Sequence, residues 1–395
     1  MKYNAIYGQS GGPTSVINAS LYGVIKQCQL EEEIGTLFLM HNGIKGLIND
    51  DLKDVKNIEE NEIELLKNTP SPILGSIRYK LKPFEEDESD YLKIINNLKK
   101  YQIRYIFLNG GNDSMDTSKK LSEYFKKVNF ECYVIGIPKT IDNDLTITDF
   151  TPGFPSAAKF IANCIKDIAY DNESYPQGRV NIVEIMGRDT GWLTASASLS
   201  EPYSPDLIYV PEVIFNEDKF LKDVKNIYER KQRCLVAVSE GIKNKNNQFI
   251  YQQKSKDAFL HNQLGGVANY LSNLVEEKLH FPTRAIELSL LQRCFSQLTS
   301  LKDVEMAINC GKKAVEYALQ KLNNVIVIIN KDFTLSYAEL SLIANQTKFL
   351  DINMINKEGN NITPLFKDYA LRLIDGENKI PYEKGLSKFA NKDKF

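Results

Sequence analysis

Short apolar runs alternate with longer mixed stretches along most of this chain. The runs at 3–8, 35–40, 104–108, 132–136, 180–186, 206–210, 233–238 and 324–329 read as strands. Several, such as Tyr105-Ile106-Phe107-Leu108, are continuously apolar rather than alternating, the pattern of strands covered on both faces. The intervening stretches 14–29, 90–101, 115–125, 154–171, 217–231 and 302–320 read as helices. Such alternation predicts an α/β chain with parallel, doubly wound sheets. Ligands of these sheets bind at the carboxyl ends of the strands. Residues 49–68 and 84–90 are acidic and polar and read as surface helix or loop. Residues 242–256 read as an exposed loop, and the lysine-rich 384–395 is expected to fray in its last few residues.

The chemistry-bearing clusters fall at predicted strand ends. After the first strand comes Gly8-Gln9-Ser10-Gly11-Gly12-Pro13-Thr14, whose glycines let backbone N–H groups approach phosphate oxygens. A tight turn without ligand explains one such loop equally well. A second, Gly110-Gly111-Asn112-Asp113-Ser114, tells against it, because it opens a helix whose N-terminus offers free N–H groups and a positive dipole end. Asp113 is the unusual member, since a carboxylate there repels an anion unless a metal or a lysine lies between them. The third cluster, Pro138-Lys139-Thr140-Ile141-Asp142-Asn143-Asp144, offers a carboxylate to accept the proton of an attacking hydroxyl and a lysine to screen a transferring phosphoryl group. The fourth, Met186-Gly187-Arg188-Asp189-Thr190-Gly191-Trp192, sets a rigid cation at another strand end. Arg179, Arg284 and Arg293 are further candidates for holding phosphate bidentately, and Glu240 for receiving sugar hydroxyls.

Composition narrows the choice. The chain has 395 residues, 43% of them hydrophobic, enough for a large core and two or three domains. Its formal charge of −2, with no long basic run before the C-terminal tail, makes nucleic acid and membrane surfaces poor partners. The six cysteines are scattered without a C-x-x-C pair and read as reduced core residues. Only His41, His261 and His280 are available, so histidine-centred catalysis is not expected. No run reaches membrane-spanning length and no signal peptide is visible, so a cytoplasmic protein is expected.

Seven motifs, in order, give the chain a resemblance to the phosphofructokinase family over residues 1–320: GGPTSVINAS at 11–20, LGSIR at 74–78, GGNDS at 110–114, PKTIDND at 138–144, GRVNIVEIMGR at 178–188, SEG at 239–241 and RAIELSLLQR at 284–293. Within the family it looks like the pyrophosphate-dependent branch. The resemblance implies two doubly wound Rossmann-like domains with mostly parallel sheets and an active site in the cleft between them. Residues 1–152 would form the phosphoryl-donor domain, joined by part of the chain after 293. Residues 153–292 would form the fructose 6-phosphate domain, and 330–395 a C-terminal extension. Asp142 matches the base that deprotonates the 1-hydroxyl of fructose 6-phosphate, with Thr140, Asp144 and Lys139 beside it. Gly11, Gly12, Arg78, Gly111, Asp113 and Ser114 match the donor site. Met186, Gly187, Arg188, Glu240 and Arg293 match sugar-phosphate contacts. Arg179 and Arg284 match arginines that reach into a neighbouring subunit's site, which implies a homodimer or homotetramer with shared sites.

Two departures stand out. Asn112 replaces a metal-linked aspartate, and an amide is a weaker ligand for Mg2+ than a carboxylate, so Asn112 and Asp113 are both candidates for holding the ion. Leu290 stands where a polar or aromatic sugar contact is common. ATP-using members read Gly-Gly-Asp-Gly-Ser and Pro-Gly-Thr where this chain reads GGNDS and PKT. Asp113 therefore adds bulk and negative charge at one small position, and Lys139 fills the other. The expectation is phosphoryl transfer from pyrophosphate to fructose 6-phosphate. The alternatives are an ATP-dependent enzyme, a preference for sedoheptulose 7-phosphate, and a non-catalytic regulatory subunit.

Overall fold

The computed structural model describes residues 2–77, 79–252 and 264–395. Eleven strands build its two main sheets: β1 (Tyr3–Gln9), β2 (Ile34–Met40), β3 (Leu52–Asp54), β4 (Ile103–Gly110), β5 (Tyr133–Pro138), β6 (Val180–Ile185), β7 (Leu207–Tyr209), β8 (Cys234–Ser239), β9 (Thr283–Glu287), β10 (Val325–Ile329) and β11 (Leu335–Glu339). The larger sheet runs β11-β10-β5-β4-β1-β2-β3. Its five central strands are parallel, and β3 and β11 close the edges antiparallel. The smaller sheet, β7-β8-β6-β9, is parallel throughout. The helices of eight residues or more are α1 (Ile17–Leu30), α2 (Ser89–Lys100), α3 (Asn112–Lys127), α4 (Phe154–Glu173), α5 (Glu217–Lys231), α6 (Val267–Leu279), α7 (Leu301–Leu319) and α8 (Pro364–Leu371).

The continuous apolar strands have the predicted cause. Ile6, Ile106 and Leu108 join Ile94 and Leu98 of α2 and Leu121 and Phe125 of α3 in one core layer. Their strand neighbours Tyr7 and Phe107 join Leu21 and Val24 of α1 and Ala314 of α7 in the other. Helices α1 and α7 cross so closely that a Cβ at Gly23 would lie 2.1 Å from the Ile308 carbonyl oxygen, and one at Gly311 2.2 Å from that of Ser20.

The sequence misread the edges. β9 was not expected, because Thr-Arg-Ala-Ile-Glu carries two charges; as an edge strand it buries little. β3 and two short helices lie within 49–68, and β11, α6 and α8 also escaped the apolar pattern. The first helix begins at Ile17 rather than at 14, since Gly11–Thr14 stay in the loop. The tail corrects the expectation of fraying. Phe395 is buried, its carbonyl oxygen meets His41 Nε2 at 3.0 Å, and Ala390 N–H donates to Thr69 Oγ1. One aromatic anchor outweighs the polar composition around it. The loop expected at 242–256 begins as a small turn bridged by Lys243 and Phe249, and 253–256 lie outside the described residues. All six cysteines are free, with Cys132, Cys234 and Cys310 buried. Among the described residues no helix is long and apolar enough to cross a membrane.

The carboxyl ends of the two sheets are linked through the loop after β5. That loop runs from Lys139 to Gly153 and enters α4. The buried carboxylate of Asp303, in the first turn of α7, accepts from the N–H groups of Gly153 and Ser156 and from Ser156 Oγ at 2.6–3.2 Å. Burial pushes this carboxyl up to about 6, against the pull of those donors. The contact satisfies N–H groups that a helix start otherwise leaves orphaned, and it anchors the far end of the loop.

Candidate active site

Two glycine loops from the larger sheet meet over Lys139. After β1, Gly11 turns with φ +81°, and the Gly12 carbonyl oxygen accepts from Lys139 Nζ at 2.7 Å. After β4, Gly110 must be glycine: a Cβ there would sit 1.9 Å from Ser114 Oγ. Gly111 then caps α3, and Asn112 and Asp113 open its first turn, where N–H groups lack intrahelical acceptors, while the Ser114 N–H donates to the Gly111 carbonyl oxygen at 3.0 Å. Lys139 is 2% exposed. Burial pushes its ammonium down to about 8, Arg293 adds to that, and Asp142 and Asp144 oppose it.

The loop after β5 presents two half-buried carboxylates. Asp142 N–H donates to Thr140 Oγ1 at 3.1 Å, and Asp142 O accepts from Thr190 Oγ1 at 3.2 Å, so the residue is gripped from both sheets. Burial, then the negative charges of Asp144 and Glu240, hold the Asp142 carboxyl above the usual carboxylate range, with Lys139 opposing. Asp144 is raised as well, chiefly by burial. Asn112 Nδ2 donates to Asp144 Oδ2 at 3.3 Å, which leaves Asn112 Oδ1 and Asp144 Oδ1 buried without partners. Such orphaned acceptors call for a cation or a water. One carboxylate and one amide oxygen suit a hard ion that keeps waters and takes phosphate oxygens. Among the described residues no group of three or more His, Cys, Asp or Glu could hold a metal. Asp113 is exposed on the first turn of α3 and is not among the orphaned oxygens.

The smaller sheet supplies the facing wall. Met186 N–H donates to Gln292 Oε1 at 3.0 Å and Gly187 N–H to Glu240 Oε1 at 3.4 Å. Gly187 has φ +140° and Ser239 Oγ donates to its carbonyl oxygen. Burial pushes Glu240 up to about 7, while Arg188 and Arg293 pull it down. A Cβ at Gly12 would lie 3.8 Å from Arg293 Nη1, which places that guanidinium beside the first glycine loop. Leu290 is exposed.

Two of the candidate residues, Arg179 and Arg284, are not gathered here. Arg78 lies outside the described residues. Arg179 precedes β6 and Arg284 is the second residue of β9, opposite Asn181. Both are exposed at the amino end of the smaller sheet, about 20 Å along the strand from Met186 at ~3.3 Å per residue. Sequence reasoning missed Gln292, which is 2% exposed and orients Met186, and Thr190, though each sits inside a motif already singled out. It also missed Lys348 and Tyr369, which carry no local signal.

Comparison with known proteins bears on this arrangement. The model of the family described as phosphofructokinase matches residues 4–318. The pyrophosphate--fructose 6-phosphate 1-phosphotransferase of Halomonas elongata is 37% identical over 98% of this chain and 96% of its own length. That of Methylococcus capsulatus is 38% identical over 97% and 94%. The crystal structure of a pyrophosphate-dependent phosphofructokinase from Nitrosospira multiformis superposes with a TM-score of 0.89 at 36% identity, covering 98% of this chain and 95% of that one.

Proposed function

This chain belongs to the phosphofructokinase family, and from that premise we propose that it reversibly transfers a phosphoryl group from pyrophosphate to O1 of D-fructose 6-phosphate. The products are fructose 1,6-bisphosphate and phosphate. The observation that carries the donor assignment is the buried Lys139, whose ammonium is hydrogen-bonded to Gly12 across the donor loops. Near-full-length identity with relatives named for this reaction supports it.

The O1 hydroxyl gives its proton to Asp142 as its oxygen attacks the distal phosphorus of pyrophosphate. The bridging P–O bond breaks in line, and the leaving phosphate takes the electron pair beside Lys139. Asp142 works as a base because Thr140 and Thr190 fix its backbone and because its carboxyl is poised above the ordinary range. Glu240, Met186 and Gly187 line the sugar side, and Arg188 and Arg293 hold the 6-phosphate. Gly11, Gly12, Gly111, Ser114 and Arg78 cradle the donor. Asp144 and Asn112 would hold Mg2+ through their orphaned oxygens, with Asp113 beside them, and the ion would supply charge neutralisation on the phosphates. Positioning and electrostatics of this kind account for most of phosphoryl-transfer catalysis. Purified protein given fructose 6-phosphate should turn over with pyrophosphate and very little with ATP. Equal turnover with both would overturn the donor assignment.

Arg179 and Arg284, exposed at the far end of the smaller sheet, complete the site of a second copy. Asp142→Ser and Arg284→Ala chains, each inactive alone, should then regain partial activity when refolded together. Mixed oligomers that stay inactive would mean that each chain builds its own site.

A further inference from the structure

The loop that carries Asp142 and Asp144 is held by a part of the chain beyond the matched family domain, which ends at 318. Lys348 is its centre. The Lys348 N–H donates to Asp144 O at 2.8 Å. Its ammonium reaches Asp149 O at 3.0 Å, Thr148 O at 3.1 Å and Asn143 Oδ1 at 3.4 Å. An ammonium has three donors, and here all three go to one loop. Tyr369 of α8 doubles the grip: its hydroxyl donates to Asp149 O at 2.8 Å and accepts from Asn143 Nδ2 at 2.9 Å. Arg372 pairs with the Asp149 carboxylate.

This loop needs outside support. Asn143, next to Asp142, has φ +53°, and the β-branched Ile147 has φ +68°. Conformations of this kind persist only where the surroundings over-determine them. The same stretch also reaches the other wall of the cleft. Trp192 Nε1 donates to Lys348 O at 3.0 Å, and the Lys348 ammonium lies 5.1 Å from the Trp192 ring centroid. Two residues on, Leu350 N–H donates to Glu212 Oε1, the same oxygen that accepts from Gly191 N–H at 2.8 Å. Residues 348–350 thus tie the Asp142 loop to the 186–192 loop.

We propose that Lys348 is a positioning residue for the reaction, holding the loop 142–149 so that Asp142 meets the attacking hydroxyl. Lys348 touches neither substrate; it acts through Asn143, Asp144 and Asp149. The proposal rests on the reading of Asp142 as the base. Its effect belongs in kcat more than in KM, because the ammonium holds the backbone around the base, whereas the two glycine loops and Arg293, which grip the phosphates, belong to other segments.

The test compares wild type, Asp142→Ser, Lys348→Met, Lys348→Arg and Tyr369→Phe in steady-state assays with pyrophosphate and fructose 6-phosphate. Wild-type turnover that disappears in Asp142→Ser secures the base assignment independently. Lys348→Met should then lower kcat by about 10–100-fold, the scale of a misplacement near 1 Å. KM for each substrate should stay within about threefold, as for an interaction felt mainly in the transition state. Lys348→Arg, which keeps a cation with several donors, should recover a large part of that kcat. A Lys348→Met protein with wild-type kcat, or one whose loss lies in KM, overturns the proposal. So does a loss that Arg does not relieve in a folded chain. Should Lys348→Met fail to fold, Tyr369→Phe decides: it removes one hydroxyl from the same clamp, and kcat should fall with KM unchanged. An unchanged kcat in that variant also overturns the proposal.

Discussion

Replacing Asp142 with Ser should lower kcat by about 10²–10⁴-fold, the usual contribution of a positioned base. KM for fructose 6-phosphate should change little, since removing a base affects the transition state more than ground-state binding. The backbone contacts of residue 142 to Thr140 and Thr190 survive the substitution, so the loop keeps its place and the loss reports the carboxylate. The wild-type pH profile gives the complementary reading. Burial, Asp144 and Glu240 hold the Asp142 carboxyl above the usual range. A protonated carboxyl cannot take the O1 proton, so kcat/KM should fall as pH drops through that raised value. The acidic limb should therefore lie above the pH at which an exposed aspartate titrates. In the Ser variant that limb should vanish from the residual activity. A variant that retains a large part of wild-type kcat would refute the assignment.

The sequence and the structure agree where the signal is local. Every continuous apolar run became a strand, because β1, β4 and β5 are covered on both faces. Clusters written in one stretch, such as Lys139 to Asp144, were legible as a unit, since a strand-end loop keeps its residues together whatever the rest of the chain does. Two kinds of feature were not legible. Edge strands such as β9 and β11 bury one face at most, so their apolar pattern is weak. Contacts between distant segments leave no periodicity: Lys348 meets Asn143 across 205 positions, and nothing around Thr347 or Phe349 marks it. The pairing of Asn112 with Asp144 is of the same kind. It sets one residue from each of two loops side by side, a juxtaposition that neither loop's own sequence shows. Arg179 and Arg284 show the converse: only a family resemblance assigns them to a neighbouring subunit's site, and their places in the smaller sheet hold them away from the site of their own chain.

The donor preference should be movable through two side chains. Asp113 and Lys139 stand at positions where the ATP-using members this chain resembles carry glycine. Their settings differ. Lys139 is buried and its ammonium spans to Gly12, 3.1 Å from where a Cβ on Gly11 would lie. Asp113 is exposed at the mouth of the α3 N-terminus. Asp113→Gly should therefore fold normally, open space and remove repulsion between a carboxylate and a third phosphate. Two unit charges about 4 Å apart repel by about 4 kcal/mol at an effective dielectric near 20, and exposure of Asp113 reduces that figure. Affinity for ATP should rise, and pyrophosphate use should weaken to the extent that Asp113 helps order the metal. Lys139→Gly removes a cation from the leaving phosphate, and pyrophosphate-dependent kcat should fall by about 10²–10³-fold, as when one preorganised electrostatic contact is deleted. In the proposed reaction both side chains border the donor, so their effects should couple rather than add. The double variant should shift toward ATP by more than the two single changes combined. Measuring kcat/KM with pyrophosphate and with ATP in all four proteins decides the matter. A wild type that prefers ATP, or an Asp113→Gly variant with an unchanged donor ratio, would remove these two residues as the basis of the preference.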